Sequence, residues 1–308
     1  MKITLISCLL AFFLLTLGWC THIHFESGIP VSERDTGVTY LIKNMDNIRT
    51  LPPGFRLMSS AYQRHLGYIP TRKGLHKLHA SGSSQFSKRS LKAILKTIPM
   101  KKVIVIDLRQ EDHGFFDGMA VSWYGYHNLQ NEGKAPEQIQ REEELLIKEV
   151  QASGFTRIYN DKQAVVSQPF HVKEALSERE LAADLNLSYI RYYVTDHKRP
   201  DNATIDSLVN LFKTIPDDTW MHFHCAGGKG RTTSFLIMYD MFKNAQDVSF
   251  EDIIRRQWFL GGADLSSNNP NSRWKHGFAY ERLEFLKDFY NYCRAHPNFE
   301  ISWSQFSE

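Results

Sequence analysis

The stretch that decides the reading is Thr219-Trp-Met-His-Phe-His-Cys-Ala-Gly-Gly-Lys-Gly-Arg-Thr-Thr233. Its first seven residues, Thr219 to Cys225, read as a strand, and the residues after Gly230 read as an apolar helix to about Phe242. Between them lies the loop Cys225, Ala226, Gly227, Gly228, Lys229 and Gly230, which ends at Arg231. Glycines let the backbone fold back so that successive N–H groups point into one concavity, and the positive end of the following helix lies behind it. Such a loop is an anion cradle. Thiols at helix N-termini lose their proton readily, so Cys225 is expected as a thiolate nucleophile. Arg231 offers a planar fork that can hold two phosphate oxygens, and Thr232 offers a hydroxyl to the sulfur. A buried structural cysteine, or a zinc site built on His222, His224 and Cys225, would use fewer of these parts. No matching second ligand cluster accompanies them, and no metal is expected.

Transfer of a phosphoryl group to sulfur also needs a proton for the leaving alkoxide. The donor read from the sequence is Asp196, in Val194-Thr-Asp-His-Lys-Arg-Pro200 at the end of a strand-like segment. An aspartate there also suits a turn or a helix cap; beside a phosphate cradle the acid is the better reading. With a reference pKa near 3.9, such an acid implies a kcat/KM optimum on the acid side, roughly pH 4–6.

Outward from this site, strands alternate with helices. A helix over Ser90–Lys96 precedes the apolar strand Lys102–Leu108, and a helix over Ile205–Phe212 precedes Thr219–Cys225. Both pairs are joined by Lys-Thr-Ile-Pro, so one supersecondary unit is used twice. Further helices are read at Pro136–Gln151, Ser177–Asp184, Phe250–Phe259 and Phe278–Cys293, with a strand at Ser188–Val194 and a long polar loop from Gly261 to Gly277. The pattern predicts an α/β fold with a mainly parallel sheet flanked by helices. Residues 24–50 and 155–172 are β-leaning and are read as a small β-rich subdomain.

The chain has 308 residues, 42% hydrophobic and 23% charged, with a net charge of +3. This is globular composition, and it excludes disordered, collagen-like and coiled-coil classes. So weak a net charge makes no case for nucleic acid as a partner. Residues 1–20 carry Lys2 followed by an uncharged apolar run ending Gly18-Trp19-Cys20, which reads as a cleaved secretory signal; lipidation of Cys20 and an uncleaved anchor are the rival readings. A secreted or periplasmic enzyme without a membrane span in its mature chain, residues 21–308, is therefore expected. With Cys8 and Cys20 in the leader, Cys225 and Cys293 remain, too few for a disulfide scaffold.

The Cys225–Arg231 loop has the Cys-x5-Arg form of protein-tyrosine-phosphatase-like enzymes. Together with Gly54-Phe-Arg56, Asp107-Leu-Arg-Gln-Glu111, His113-Gly114, Val121-Ser-Trp-Tyr-Gly125, Thr195-Asp-His197 and Trp274-Lys275, it resembles the bacterial PTP-like phytases (cysteine phytases) across most of the chain. The resemblance implies a PTP-like core with a partial-barrel subdomain, no cofactor, and a small polyanionic substrate of the inositol polyphosphate type. It implies Cys225 as nucleophile, Arg231 as clamp and Asp196 as acid, with Arg56, Lys162, His197 and Lys275 contacting peripheral phosphates. Lys229 adds a cation within the loop, and Lys198 and Arg273 are further candidates for the mouth. Where the family tends to carry an acidic residue, this chain reads Tyr126-His127-Asn128, and Ala226 stands where relatives often carry a charge. A phosphotyrosine or phosphoinositide phosphatase is the alternative enzyme; a catalytically silent inositol-phosphate-binding module is the alternative of another class.

Overall fold

The computed structural model describes residues 39–64, 67–160, 162, 164, 166–266 and 273–308. The leader reading for residues 1–20, and residues 24–38 of the β-leaning segment, lie outside the described residues.

Two sheets organise the molecule. The first has the strand order β10-β4-β11-β3-β2, made of Ser188–Arg191 (β10), Lys102–Asp107 (β4), Thr219–His224 (β11), Ala80–Ser83 (β3) and Arg56–Leu57 (β2). Its four long members are parallel, and only β2 runs antiparallel. The two Lys-Thr-Ile-Pro units become neighbours here: Lys88–Thr97 (α1) leads into β4, Asn202–Thr214 (α4) leads into β11, and Thr219 pairs with Lys102. All six residues of β11 are buried, as expected of a central strand covered on both faces. Packed against it, Gly230–Asn244 (α5) is buried from Arg231 through Met241, so it turns no polar face to solvent along that stretch. It packs so closely on β3 that a Cβ at Gly82 would lie 2.7 Å from Thr232 Cγ2.

The second sheet has the order β8-β7-β1-β6-β5-β9. Its strands are Ser167–His171 (β8), Phe155–Tyr159 (β7), Tyr40–Met45 (β1), Met119–Tyr124 (β6), His113–Phe116 (β5) and Ala175–Leu176 (β9). All its pairs are antiparallel except β1 with β7. This sheet draws β1 from the segment 24–50 and β7 and β8 from 155–172, and β6, β5 and β9 extend it beyond those two segments. Strands β5 and β6 are buried at every position, so they lack the alternation that betrays a half-exposed strand.

Pro136–Ser153 (α2), Glu178–Asp184 (α3), Phe250–Phe259 (α6), His276–Ala295 (α7) and Trp303–Phe306 (α8) complete the fold. Ser177 and Glu180 form the expected capping box at α3. Among the described residues no helix is long and apolar enough to cross a membrane.

Candidate active site

The chemistry gathers at the carboxyl ends of the parallel strands, where open α/β sheets bind ligands. His224 of β11 pairs with Asp107 of β4 and with Ser83 of β3, so the segments that follow them converge: Cys225–Arg231, Leu108–Glu111 and Ser84–Gln85. The segment after β10 brings in Val194–His197.

The loop leaves its backbone donors without acceptors among the described residues. The starts of α1, α3, α4, α6 and α8 are each closed by a serine or aspartate side chain, whereas α2, α7 and α5, whose N-cap is Lys229, have no side-chain cap. None of the backbone N–H groups from Ala226 to Arg231 donates to another described residue; the first such bond is Thr233 N–H to Lys229 O, 2.9 Å. Uncapped helix starts with aligned dipoles attract anions. Gly228 sits at φ 65°, and a Cβ there would lie 2.3 Å from Ser84 N, so no other residue fits. A Cβ at Gly227, by contrast, would meet nothing within 4 Å. The opposite side of the loop is tied down: Gln85 N–H donates to Ala226 O at 3.2 Å.

Cys225 is 3% exposed at the base of the loop, and Thr232 Oγ1 donates to its Sγ at 3.1 Å. Arg231 is held bidentately by Glu111, Nη1 to Oε2 at 2.6 Å and Nη2 to Oε1 at 2.8 Å. Its Nη1 also donates to Val194 O at 3.0 Å and to Leu108 O at 3.2 Å. The Arg231 Nε remains buried and unpartnered. Burial alone would raise the Glu111 pKa, but Arg231 and Arg109 on either side hold it well below the usual carboxylate range.

Asp196 Oδ1 lies 3.2 Å from Arg231 Nη2, and Asn128 Nδ2 donates to Oδ2 at 2.9 Å. Burial pushes the Asp196 pKa up, yet Arg231, His197 and the Asn128 amide together bring it below its ordinary value. The sequence reading gave Asp196 its ordinary pKa; in the structure it stands ion-paired to Arg231. His197 is pushed down to about 4 by burial and by the cations Lys275, Arg231 and Lys162, against the pull of Asp196.

The remaining candidates divide. Lys162 lies over the Tyr124 ring at 4.9 Å and within the fields of Asp196 and Glu111, so the structure brings it to the site despite its poorly patterned surroundings. Lys275 lies over Trp274 at 5.0 Å, and Lys229 is exposed on the loop. Arg56 is 2% exposed and committed to the loop itself, Nη1 to Gly228 O at 3.1 Å and Nη2 to Thr233 Oγ1 at 3.1 Å. Only its buried Nε is free of a partner, so its contacts are those of a brace. Lys198 is paired with Glu132, and Arg273 is exposed.

Three residues at the site had been given no role from the sequence. Glu111 lay inside a quoted motif, but only the fold reveals that it grips Arg231. Asn128 reaches Asp196 from the turn after β6. Arg282 stands beside the loop, its Nη1 2.9 Å from where a Cβ on Gly230 would be, and it feels the charges of Asp196 and Cys225. Its one sequence signal is its place two helical turns beyond Lys275, on the same face.

Behind the loop lies a second, sealed charge cluster. Asp107, His113 and Glu178 present ligand atoms within 4.8 Å of one another, a spacing that could hold a metal ion. These groups already lie within ion-pair distance of one another and of neighbouring charges. His113 Nε2 lies 3.2 Å from Asp107 and 3.3 Å from Glu178, His224 Nε2 lies 2.6 Å from Glu178, and Arg191 Nε lies 3.2 Å from Asp107. Burial opposes the charge on His113, but Asp107 and Glu143 raise its pKa to about 9.

Comparison with known proteins agrees with this geometry. A family model for PTP-like phytase, described as inositol hexakisphosphate, matches residues 106–243. The PTP-like myo-inositol phosphatase of Mitsuokella multacida, solved with myo-inositol-(1,3,4,5)-tetrakisphosphate, superposes with a TM-score of 0.83 at 33% identity, covering 87% of this chain and 47% of that one. A PTP-like phytase from Bdellovibrio bacteriovorus superposes with a TM-score of 0.71 at 30% identity, covering 87% of this chain and 94% of that one. Effector protein HopD2 of Pseudomonas syringae pv. tomato is 29% identical over 243 residues, 76% of this chain and 52% of HopD2. The chain thus spans about half the length of HopD2 and of the Mitsuokella protein, and nearly all of the Bdellovibrio enzyme. With the cradle, its arginine clamp and a solved relative matched over almost its whole length, the chain belongs to the PTP-like phytase family, a family of phosphomonoesterases.

Proposed function

We propose that the protein hydrolyses phosphate monoesters of myo-inositol polyphosphates through a phosphocysteine. The observation that carries this reading is the arginine clamp: Arg231 held bidentately by Glu111, with Asp196 3.2 Å from the same guanidinium and the sulfur of Cys225 at the open start of α5. A phosphate seated on the loop amides and on the Arg231 Nε faces that sulfur. The thiolate attacks phosphorus, the S–P bond forms as the P–O bond breaks, and Asp196 gives its proton to the departing alkoxide. Water then attacks the phosphocysteine, Asp196 takes the water's proton, and the sulfur leaves as thiolate with inorganic phosphate released. Backbone amides and Arg231 meet the charge that builds on the equatorial oxygens, the largest contribution available to such a site.

Lys162, Lys275, Arg282 and Lys229 supply cations around this centre for further phosphates. The Mitsuokella relative was solved with an inositol tetrakisphosphate, which supports the same substrate class here. One observation favours a second reading, an aryl phosphate such as phosphotyrosine. His127 stacks on Trp274 at 3.8 Å and Tyr126 packs on His127 at 4.1 Å, and Tyr126 and Trp274 keep 40% and 38% of their surface exposed.

Phosphate release by the purified protein from inositol hexakisphosphate and from a phosphotyrosine peptide, both in chelator, tests the choice. Higher kcat/KM on the inositol phosphate is expected. Higher efficiency on the peptide would transfer the reading to aryl phosphates, and turnover retained by Cys225→Ser would remove the thiolate mechanism.

A further inference from the structure

The turn after β6 carries two consecutive residues in the left-handed region, His127 at φ 50° and Asn128 at φ 66°, and neither is glycine. Residues with a side chain are disfavoured in this region. His197, across from them, adds a third at φ 67°. Strain of this kind persists only where its surroundings enforce it, and two of the three residues, Asn128 and His197, bond to one carboxyl group.

Asn128 is 5% exposed and donates through Nδ2 to Asp196 Oδ2 at 2.9 Å, while its Oδ1 is buried without a partner. The other oxygen of Asp196 receives the His197 N–H at 3.0 Å and faces Arg231 Nη2 at 3.2 Å. Among the described residues, Asn128 Nδ2, the His197 N–H and Arg231 Nη2 all bring hydrogens to this carboxyl group, an environment for a carboxylate and not for the protonated acid that the first step needs. The turn is anchored so that it can hold this position: Gln130 Nε2 donates to Trp123 O at 2.6 Å, Asn128 N–H to Gly125 O at 3.0 Å, and Glu132 pairs with Lys198 of the acid-bearing segment.

We propose that Asn128 is a positioning residue for the general acid: it fixes the Asp196 carboxyl and favours its ionised form until a bound phosphate draws Arg231 away and Asp196 takes up a proton. The proposal rests on the phosphatase reading above. The other groups that bear on Asp196 are Arg231, Glu111, His197, Lys162, Arg282 and Tyr124, and none of them is substituted in the Asn128 variants.

Two variants test it, each followed across pH on inositol hexakisphosphate and on p-nitrophenyl phosphate, whose phenol leaves without full protonation. Asn128→Asp places a second carboxyl against Asp196, so the basic limb of kcat/KM is expected about one pH unit higher. Asn128→Leu is expected to lower kcat about tenfold on the inositol phosphate, with a several-fold smaller loss on the aryl ester. Equal losses on both esters at every pH, or an unmoved basic limb in Asn128→Asp, would overturn the proposal. Calorimetry of inorganic phosphate binding in two buffers of different ionisation enthalpy, at mildly acidic pH, reads the same property without turnover. Wild type should take up a proton on binding and Asn128→Asp measurably less; equal uptake in the two would overturn it. A protein that binds phosphate with this linkage yet cleaves neither ester would sink the phosphatase reading alone.

Discussion

Two clusters of charge lie on either side of the same strand end, and they are built on opposite rules. Behind β11, the acids Asp107, Glu143 and Glu178 are matched by His113, His224 and Arg191 in direct contact, and nothing in the cluster faces solvent. In front, the loop from Ala226 to Arg231 turns out six backbone donors with no acceptor among the described residues, and Arg231 keeps Nε unpartnered although its other nitrogens are bound. Paired buried charge specifies a structure, and breaking one such pair is costly. Unpaired donors specify a ligand. A substitution in front should therefore cost turnover with little stability, and one behind should cost stability first. Glu111 belongs to both clusters, because it grips Arg231 in front and Arg109 behind.

The comparison can be broken at several points. Cys225→Ser should lower kcat about 10⁴-fold or more, while inorganic phosphate still binds and Tm moves by no more than about 2 °C. A large fall in Tm would mean that the front cluster is structural after all. Arg231→Lys keeps the charge and loses the fork, so kcat/KM should fall about 10³-fold in steady-state assays; a tenfold loss would say that charge alone suffices. Glu111→Gln should show both costs at once, with the free energy of unfolding in denaturant lowered by about 3 kcal/mol and a kcat loss beyond it. A loss of activity with unchanged stability would place Glu111 wholly in front.

The smallest expected effect tests the sealed side through pH. The His113 pKa is raised from 6.5 to about 9, so the folded state holds that proton more tightly than the unfolded chain. Its contribution is fully present below pH 6.5 and is lost as pH rises through 9, by roughly 3 kcal/mol if the shift is converted directly. Denaturant titrations between these pH values should show the decline in wild type and a flatter profile in His113→Gln. Equal slopes in the two proteins would remove His113 as the source.

The contrast also explains what could be read from the chain beforehand. The front announces itself locally: a strand, a cysteine, glycines, an arginine and a helix are consecutive, so the cradle and its position in an α/β fold were legible from residues 219–233. The clamp was not, because Glu111 and Arg231 meet only when β4 and β11 pair. Asp196 could be named from its motif, but its ion pair with Arg231 arises from the packing of a third segment. Strands β5 and β6 are uniformly buried and gave no alternation, and β3, Ala-Ser-Gly-Ser, is too small and polar to look like a strand at all. Arg56 stood in a clear motif yet serves the loop through buried contacts, a distinction that residue type alone does not carry.

The most direct measurement of the central claim is to trap the covalent intermediate. Asp196→Asn, mixed with p-nitrophenyl phosphate and quenched in acid, should form the S–P bond and then hydrolyse it slowly for want of a base. Peptide mass mapping should find one phosphoryl group, near stoichiometric, on the peptide that carries Cys225. Phosphate on any other residue, or continued turnover with no phosphorylated Cys225, would contradict the account.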